Sequence, residues 1–352
     1  MQESGPRNHG DGGMDAQGMI KRLIFGHMPA RVIHVAARLG IADVLDGGPR
    51  TAEQLAAATS SDPASLKRLL RALTCFGVVV EQGPGVYTLG PMGGPLRSDA
   101  PGTLRELAMH IGGEALWQSW GGLEDSVRTG GNAFQKIFGT DYFEYLDRNP
   151  RPAATFNVAM GELTGDVTDR LVTGYDFSRF RAVVDVGGGN GTLIAAILRT
   201  APGLRGVLFD TAQGVEQAAK TLADAGVADR CEVRAGDFFT SVPGDGDLYV
   251  LKSVVHDWDD ERSEAILRRC AEAMSGDDRI VLIEPSQPAG GEPGEIVNTV
   301  MSDLNMMVLT GGHERSEAEI EALFDRAGIR LTGVTPIQAG TSHNIAEGAL
   351  RS

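Results

Sequence analysis

A chain of 352 residues with 42% hydrophobic content is long enough for two domains, each with its own core. Lys and Arg total 32 against 47 Asp and Glu, a net charge of −15, which argues against the broad basic face that nonspecific nucleic-acid binding needs. No apolar run reaches the length of a membrane span; Cys75, Cys231 and Cys270 are widely spaced with no CxxC, and "MQESGPRNHGDGG" lacks an apolar signal core. These features predict a cytoplasmic protein with three buried, reduced thiols and a flexible lead-in over residues 1–13.

Residues 14–100 read as helices followed by a small hairpin. Ile20, Leu23, Ile24, Val32, Ile33, Ala36 and Leu39 fall at helical spacing, with a bend expected at Pro29. Thr51 and Gln54 stand in capping-box register, and Asp62-Pro63 is a cap followed by proline at the first helical position. Leu66, Leu69, Leu70 and Leu73 then share one face, and "VVVEQGPGVYTL" reads as two strands about a Gly-Pro-Gly turn. Helices followed by a wing suggest a winged-helix shape. Its two readings are DNA binding and dimerisation, and the net acidity favours the second. Residues 101–175 are helical in pattern and rich in aromatics. From 176 to 352 strands alternate with amphipathic helices, which predicts an α/β domain with a mostly parallel sheet covered on both faces. Ser316 and Glu319 form a second capping box near its end.

The glycine loop Asp185-Val-Gly187-Gly-Gly189-Asn-Gly191 follows the first of these strands and opens a helix. It is not GxGxxG, because the sixth position from Gly187 is Thr192, and no Gly-Lys-Ser/Thr makes it a phosphate loop. An acid two residues before the first glycine would repel a pyrophosphate but suits an ammonium. Asp210 ends the second strand, 25 residues after Asp185, where an acid grips a ribose. "GDFF" places Asp237 and Phe238 at the end of the third, an acceptor for an adenine amino group and a cover for its ring. Together these fit S-adenosylmethionine.

"VVDVGGGNG", "GDFF", "LKSVVHDWDD" and "GGHERSEAE", with the winged-helix-like region before them, resemble the class I S-adenosylmethionine-dependent small-molecule O-methyltransferases of plant phenylpropanoid and bacterial polyketide pathways, over nearly the whole chain. The resemblance implies a Rossmann-like domain with a seven-stranded sheet and a homodimer with intertwined N-terminal helices. It also implies that Gly187 and Gly189 lie against the amino-acid part of the cofactor, that Asp210 holds its ribose and Asp237 and Phe238 its adenine, and that Lys252 lies nearby.

His256, just past the fourth strand, stands at the ligand-binding edge of the sheet. A phenol of pKa about 10 becomes a strong nucleophile as its proton leaves, and an imidazole of pKa about 6.5 is a suitable acceptor. Asp303 is an acid within a mostly apolar helix and Glu314 follows a Gly-Gly turn; in the resembling family acids at these positions flank the histidine, and Asp257 is a further candidate partner. The acids after Trp258 read as the cap and first turn of a helix. No HxxxH or HxH spacing appears, so no metal is expected. Phe156, Asn157, Met160, Met306 and Met307 are candidates to line a pocket for a flat aromatic substrate, and equally for core. The competing functions are decarboxylation, hydroxylation or N-methylation on the same fold, and a winged-helix DNA-binding regulator that senses the cofactor.

Overall fold

The computed structural model describes residues 15–286, 293–337 and 343–351, so the lead-in expected over 1–13 lies outside the described residues. The chain forms two compact units that divide after Gly112. The first contains α1 (Ala16–Ile24), α2 (His27–Leu39), α3 (Ile41–Asp46), β1 (Arg50–Thr51), α4 (Ala52–Ala58), α5 (Pro63–Cys75), β2 (Val79–Gly83), β3 (Val86–Leu89) and α6 (Arg105–Ile111). Its sheet has the order β1-β3-β2, all antiparallel.

Local chemistry explains most of these boundaries. The Thr51 hydroxyl accepts the Gln54 N–H at 3.2 Å while the Gln54 side chain accepts the Thr51 N–H at 2.8 Å, so both box bonds are made. Asp62 caps α5 by accepting the Ser65 N–H at 2.8 Å, with Pro63 leading the helix. The expected bend at Pro29 is displaced: the break falls at Phe25–Gly26, and Pro29 sits in the first turn of α2, where a missing N–H leaves no helical bond unmade. Leu55, Leu66, Leu70, Leu73, Val79 and Tyr87 close the core. By contrast Met19, Ile20, Leu23 and Ile24 on α1 are each more than half exposed.

The second unit opens with α7 (Glu114–Gly121), α8 (Leu123–Thr129), α9 (Ala133–Phe138), α10 (Tyr142–Arg148) and the long α11 (Pro150–Gly174). Then follow β4 (Ala182–Val186), α12 (Thr192–Thr200), β5 (Arg205–Asp210), α13 (Ala218–Asp224), β6 (Cys231–Ala235), β7 (Leu248–Lys252), α14 (Asp260–Ala273) and β8 (Arg279–Pro285). It ends with α15 (Pro293–Leu309), α16 (Glu317–Arg326), β9 (Ile329–Pro336) and β10 (His343–Leu350). The seven strands run β6-β5-β4-β7-β8-β10-β9, parallel from β6 to β8 and antiparallel about β10. Alternate strand residues feed two cores, one with Ile194, Leu208, Val250 and Val281, the other with Val184, Leu251, Ile266 and Leu282. The chain leaves β4 toward β5 and β6, then returns to build β7 and β8 on the other side. The carboxyl ends of β4 and β7 therefore border the crevice where such sheets take ligands.

The expectation of three buried thiols fails for two of them. Cys75 is exposed at the last residue of α5, Cys231 is half-buried at the start of the edge strand β6, and only Cys270 is buried.

Candidate active site

The glycine loop is left-handed at three positions, Gly187 (φ 72°), Gly189 (φ 55°) and Gly191 (φ 81°), backbone that other residues adopt at a cost. A side chain at Gly187 would also press on Val254, 2.8 Å away, and reach the Phe238 ring at 3.7 Å. The loop, the exit of β7 and Phe238 thus border one space. Asp185 is buried near the end of β4; among the described residues neither of its carboxylate oxygens makes a hydrogen bond of normal geometry, the Ile194 N–H of α12 being the backbone donor beside it. Burial, then the charge of Asp210, push its carboxyl up to about 7. A buried acid without a donor is costly unless a ligand supplies one.

Asp210 ties the two strand ends together, accepting the Gly189 N–H at 2.8 Å and the Thr211 N–H at 2.6 Å. Asp237 is exposed and caps its own turn through the Phe239 N–H and the Thr240 hydroxyl, at 2.9 and 3.2 Å. Phe238 stands edge-on to Trp258 with ring centres 6.3 Å apart. Lys252 donates to the Thr164 hydroxyl of α11 at 3.1 Å. Its burial lowers the ammonium pKa, and Glu284, Asp185 and Asp257 offset part of that. The buried carboxylate of Asp185, short of donors, the left-handed glycines and acids at successive strand ends fit a ligand with an ammonium and hydroxyl donors, and no phosphate.

His256 comes from a single turn of 3-10 helix, Val255–Asp257, reached after left-handed Ser253 (φ 53°) bends the chain off β7. Its Nδ1 lies 3.0 Å from Glu314 Oε1, across 58 residues of sequence. A carboxylate oxygen accepts, so Nδ1 donates in this pair and Nε2 is the ring nitrogen that Glu314 leaves unbound. Glu314 is fully buried and also accepts the Ser302 hydroxyl of α15 at 2.6 Å. Asp303, expected beside the ring, instead accepts the backbone N–H of Glu314 at 2.9 Å, and so holds the holder. Asp257 Oδ1 lies 3.9 Å from Nε2.

A further acid was not anticipated from the sequence. Glu284, near the end of β8, accepts the N–H groups of Val254 and Val255 with one oxygen, both at 3.0 Å. Its other oxygen lies 3.8 Å from His256 Nδ1. The signal was the one acid in "RIVLIEP", a charge in an otherwise apolar buried strand. Burial of His256 alone would lower its pKa, but the charges of Glu284, Asp257 and Glu314 outweigh that and hold it above the ordinary imidazole range. Burial raises Glu284 to about 7 and Asp257 to about 6, with His256 opposing. His343, whose partner across the sheet is Pro285, is driven down to about 3 by burial and by the charges of Lys252 and His256. Ligand atoms of His256, Glu284 and Glu314 come within 4.8 Å of one another. The direct Nδ1–Oε1 contact is the length of a hydrogen bond, which accounts for the grouping without an ion.

The aromatic helices meet this turn. Phe143 stacks on Trp258 with ring centres 5.2 Å apart, and Tyr142, Phe143 and Phe156 contact one another edge-on. The candidate pocket residues separate. Phe156 belongs to that aromatic cluster, Asn157 donates to the Gln213 carbonyl at 3.1 Å, and Met306 is buried. Met160 and Met307 are half-buried.

A family model described as an O-methyltransferase domain matches residues 120–330, and one described as an O-methyltransferase dimerisation domain matches residues 21–112. Phenazine O-methyltransferase PhzM of Lysobacter antibioticus is 41% identical over 338 residues, 95% of this chain and 97% of its own length. The crystal structure of LaPhzM superposes with a TM-score of 0.92 at 39% identity, covering 96% of this chain and 100% of that one. The O-methyltransferase NcsB1 of neocarzinostatin biosynthesis, in complex with S-adenosylmethionine and 2-hydroxy-5-methyl naphthoic acid, superposes with a TM-score of 0.77 at 34% identity, covering 92% of this chain and 96% of that one. The chain belongs to the S-adenosylmethionine-dependent O-methyltransferases, with the Rossmann-like sheet and the N-terminal dimerisation domain of that family.

Proposed function

We propose that this enzyme methylates a hydroxyl of an aromatic small molecule, an intermediate of natural-product type, with His256 as the proton acceptor. The observation that carries the reading is the 3.0 Å bond between His256 Nδ1 and Glu314, which fixes the ring and leaves Nε2 at the ligand edge of the sheet. S-adenosylmethionine, when bound, supplies a methyl group on a sulfonium that is already a good leaving group. Asp185, Gly187 and Gly189 suit its amino-acid end, Asp210 its ribose, Asp237 and Phe238 its adenine, with Lys252 alongside.

The protein's own task is alignment and proton removal. A phenol is mostly neutral at pH 7, so its oxygen gains reactivity as Nε2 takes the proton; the neutral ring is the form that acts, and because the surrounding carboxylates raise the ring's pKa, the rate is expected to climb with pH through that pKa. The imidazolium that results is stabilised by Glu314 and Glu284 on one side and Asp257 on the other, the role a third group plays for any oriented histidine base. The half-buried Met160 and Met307 offer adaptable thioethers to a flat ring. The naphthoic acid bound by NcsB1 is a hydroxylated aromatic of the class proposed here. Incubation with methyl-labelled S-adenosylmethionine and a panel of phenols, aryl amines and carboxylic acids tests the reading. A mass gain of about 14 on phenols alone is expected, and label transfer only to amines, or release of carbon dioxide without transfer, refutes it.

The exposed apolar face of α1 supports a homodimer formed through the N-terminal helices. Among the described residues no helix is long and apolar enough to cross a membrane. Leu23→Glu, at the most exposed of these positions, is expected to shift the mass measured by light scattering from about two chains to one. An unchanged mass places the interface elsewhere.

A further inference from the structure

We infer that Arg315 is a positioning residue for methyl transfer: it locks the turn that carries His256, so that the ring keeps its bond to Glu314 and its Nε2 at the crevice. This rests on the reading of His256 as the base.

The guanidinium is buried, at 3% exposure. Its Nη1 donates to the Val255 carbonyl at 2.9 Å and its Nη2 to the Trp258 carbonyl at 2.9 Å, the carbonyls that bracket His256 and Asp257. Nη2 also donates to the Ser263 hydroxyl at 3.2 Å, and Asp260 Oδ1 accepts from Nε and Nη2 at 3.1 and 2.9 Å. On the other edge of the turn, Glu284 accepts the N–H groups of Val254 and Val255. An anion thus holds the turn by its N–H groups and a cation by its carbonyls.

The clamp is anchored to the sheet. Arg315 pairs by its backbone with Ser286, just past β8, in a parallel bridge. Three residues earlier, Gly312 lies directly on the turn: a side chain there would overlap the His256 carbonyl oxygen and come within 2.7 Å of the Trp258 nitrogen. Glu314 and Arg315 are adjacent in sequence, so the residue that holds the ring and the one that holds its backbone move together. Only arginine has enough donors in a planar fork to reach two carbonyls, a hydroxyl and a carboxylate together; a lysine ammonium is a point with three.

The titratable groups facing His256 are Glu314, Glu284 on β8 and Asp257 on its own turn, with the Lys252 ammonium on β7 and the neutral His343 on β10 further off. Arg315 is paired with Asp260 at the head of α14, so its influence on the ring is geometric. Arg315→Lys keeps the charge and loses the fork. We expect kcat to fall roughly 10- to 100-fold, the scale of a small misplacement of a reacting group, with the affinity for S-adenosylmethionine by calorimetry unchanged. As the Glu314 bond loosens, the acid limb of the kcat profile and the NMR titration midpoint of the His256 ring are both expected to move down, toward the ordinary imidazole value.

A merely structural role would lower the melting temperature and the folded fraction while leaving the His256 titration and the pH limb as in the parent protein, and that result overturns the inference. If Arg315→Lys does not fold, Ser263→Ala serves. It removes a hydroxyl whose one hydrogen is shared between the Val255 and Trp258 carbonyls, at 3.0 and 3.3 Å, and the same two midpoints are expected to move, by less. Unmoved midpoints again overturn it. The ring titration needs no turnover, so it stays separate from failure of the base assignment, which is read from His256→Ala alone.

Discussion

His256→Ala is expected to lower kcat by roughly 10²- to 10⁴-fold, the usual contribution of a positioned base, while S-adenosylmethionine binds as tightly as before by calorimetry. The two effects separate because different strand ends carry them. Asp185 lies one residue from the end of β4 and Asp210 ends β5, with the glycine loop after β4 and Phe238 after β6, whereas His256 lies past β7 in a turn held from β8 and the loop before α16. Loss of the imidazole also strands Glu314 and Glu284, two buried carboxylates that lose their positive neighbour. Glu284, already raised to about 7 by burial, then holds its proton more tightly, so the variant melts lower as pH rises through neutrality, and kinetics belong at a temperature where it is folded. The outcome that would sink the base assignment is a folded variant with kcat within a few-fold of the parent, which would mean that alignment alone drives the transfer.

The parts of this site legible in the sequence were those that depend on position along one element. Strand ends are readable because a run such as "VVDVGGGNG" must stop where glycines start, and caps are readable because Thr51–Gln54 and Ser316–Glu319 satisfy helix N–H groups within four residues of each other. His256 and Glu314 could be paired only through the family resemblance, because nothing local brings together residues 58 apart. Glu284 went unassigned because a strand that reads as core conceals an inward acid: hydrophobic periodicity places a face, and does not say that two backbone N–H groups of a neighbouring turn await an acceptor there. Asp303 stands out as an acid in an apolar helix, but the sequence does not show that the donor it accepts from is the Glu314 backbone N–H and not the ring. The same blindness to tertiary partners put Cys231 in the interior, since a strand's own sequence does not reveal that it lies at the sheet edge.

Glu284→Gln is expected to leave the turn in place and change its titration. The amide oxygen can still accept the N–H groups of Val254 and Val255, so the backbone support at 3.0 Å survives, and only the charge 3.8 Å from Nδ1 is lost. That charge is one of those that raise the His256 pKa against its burial, so its removal lets the pKa fall. The base must be unprotonated to act, and a lower pKa means that it is unprotonated at lower pH. The acid limb of kcat therefore moves down, by about one unit for a loss of about 1.4 kcal/mol of charge interaction. The plateau falls too, by roughly tenfold, because the imidazolium formed during transfer has lost a stabilising anion and a weaker base accepts the proton less readily. A structural spacer at this position would lower the plateau without moving the limb, and a limb that disappears near neutrality would mean that the carboxyl of Glu284, raised to about 7, is itself the group whose ionisation the rate reports. A shift downward with a reduced plateau assigns the charge to the histidine.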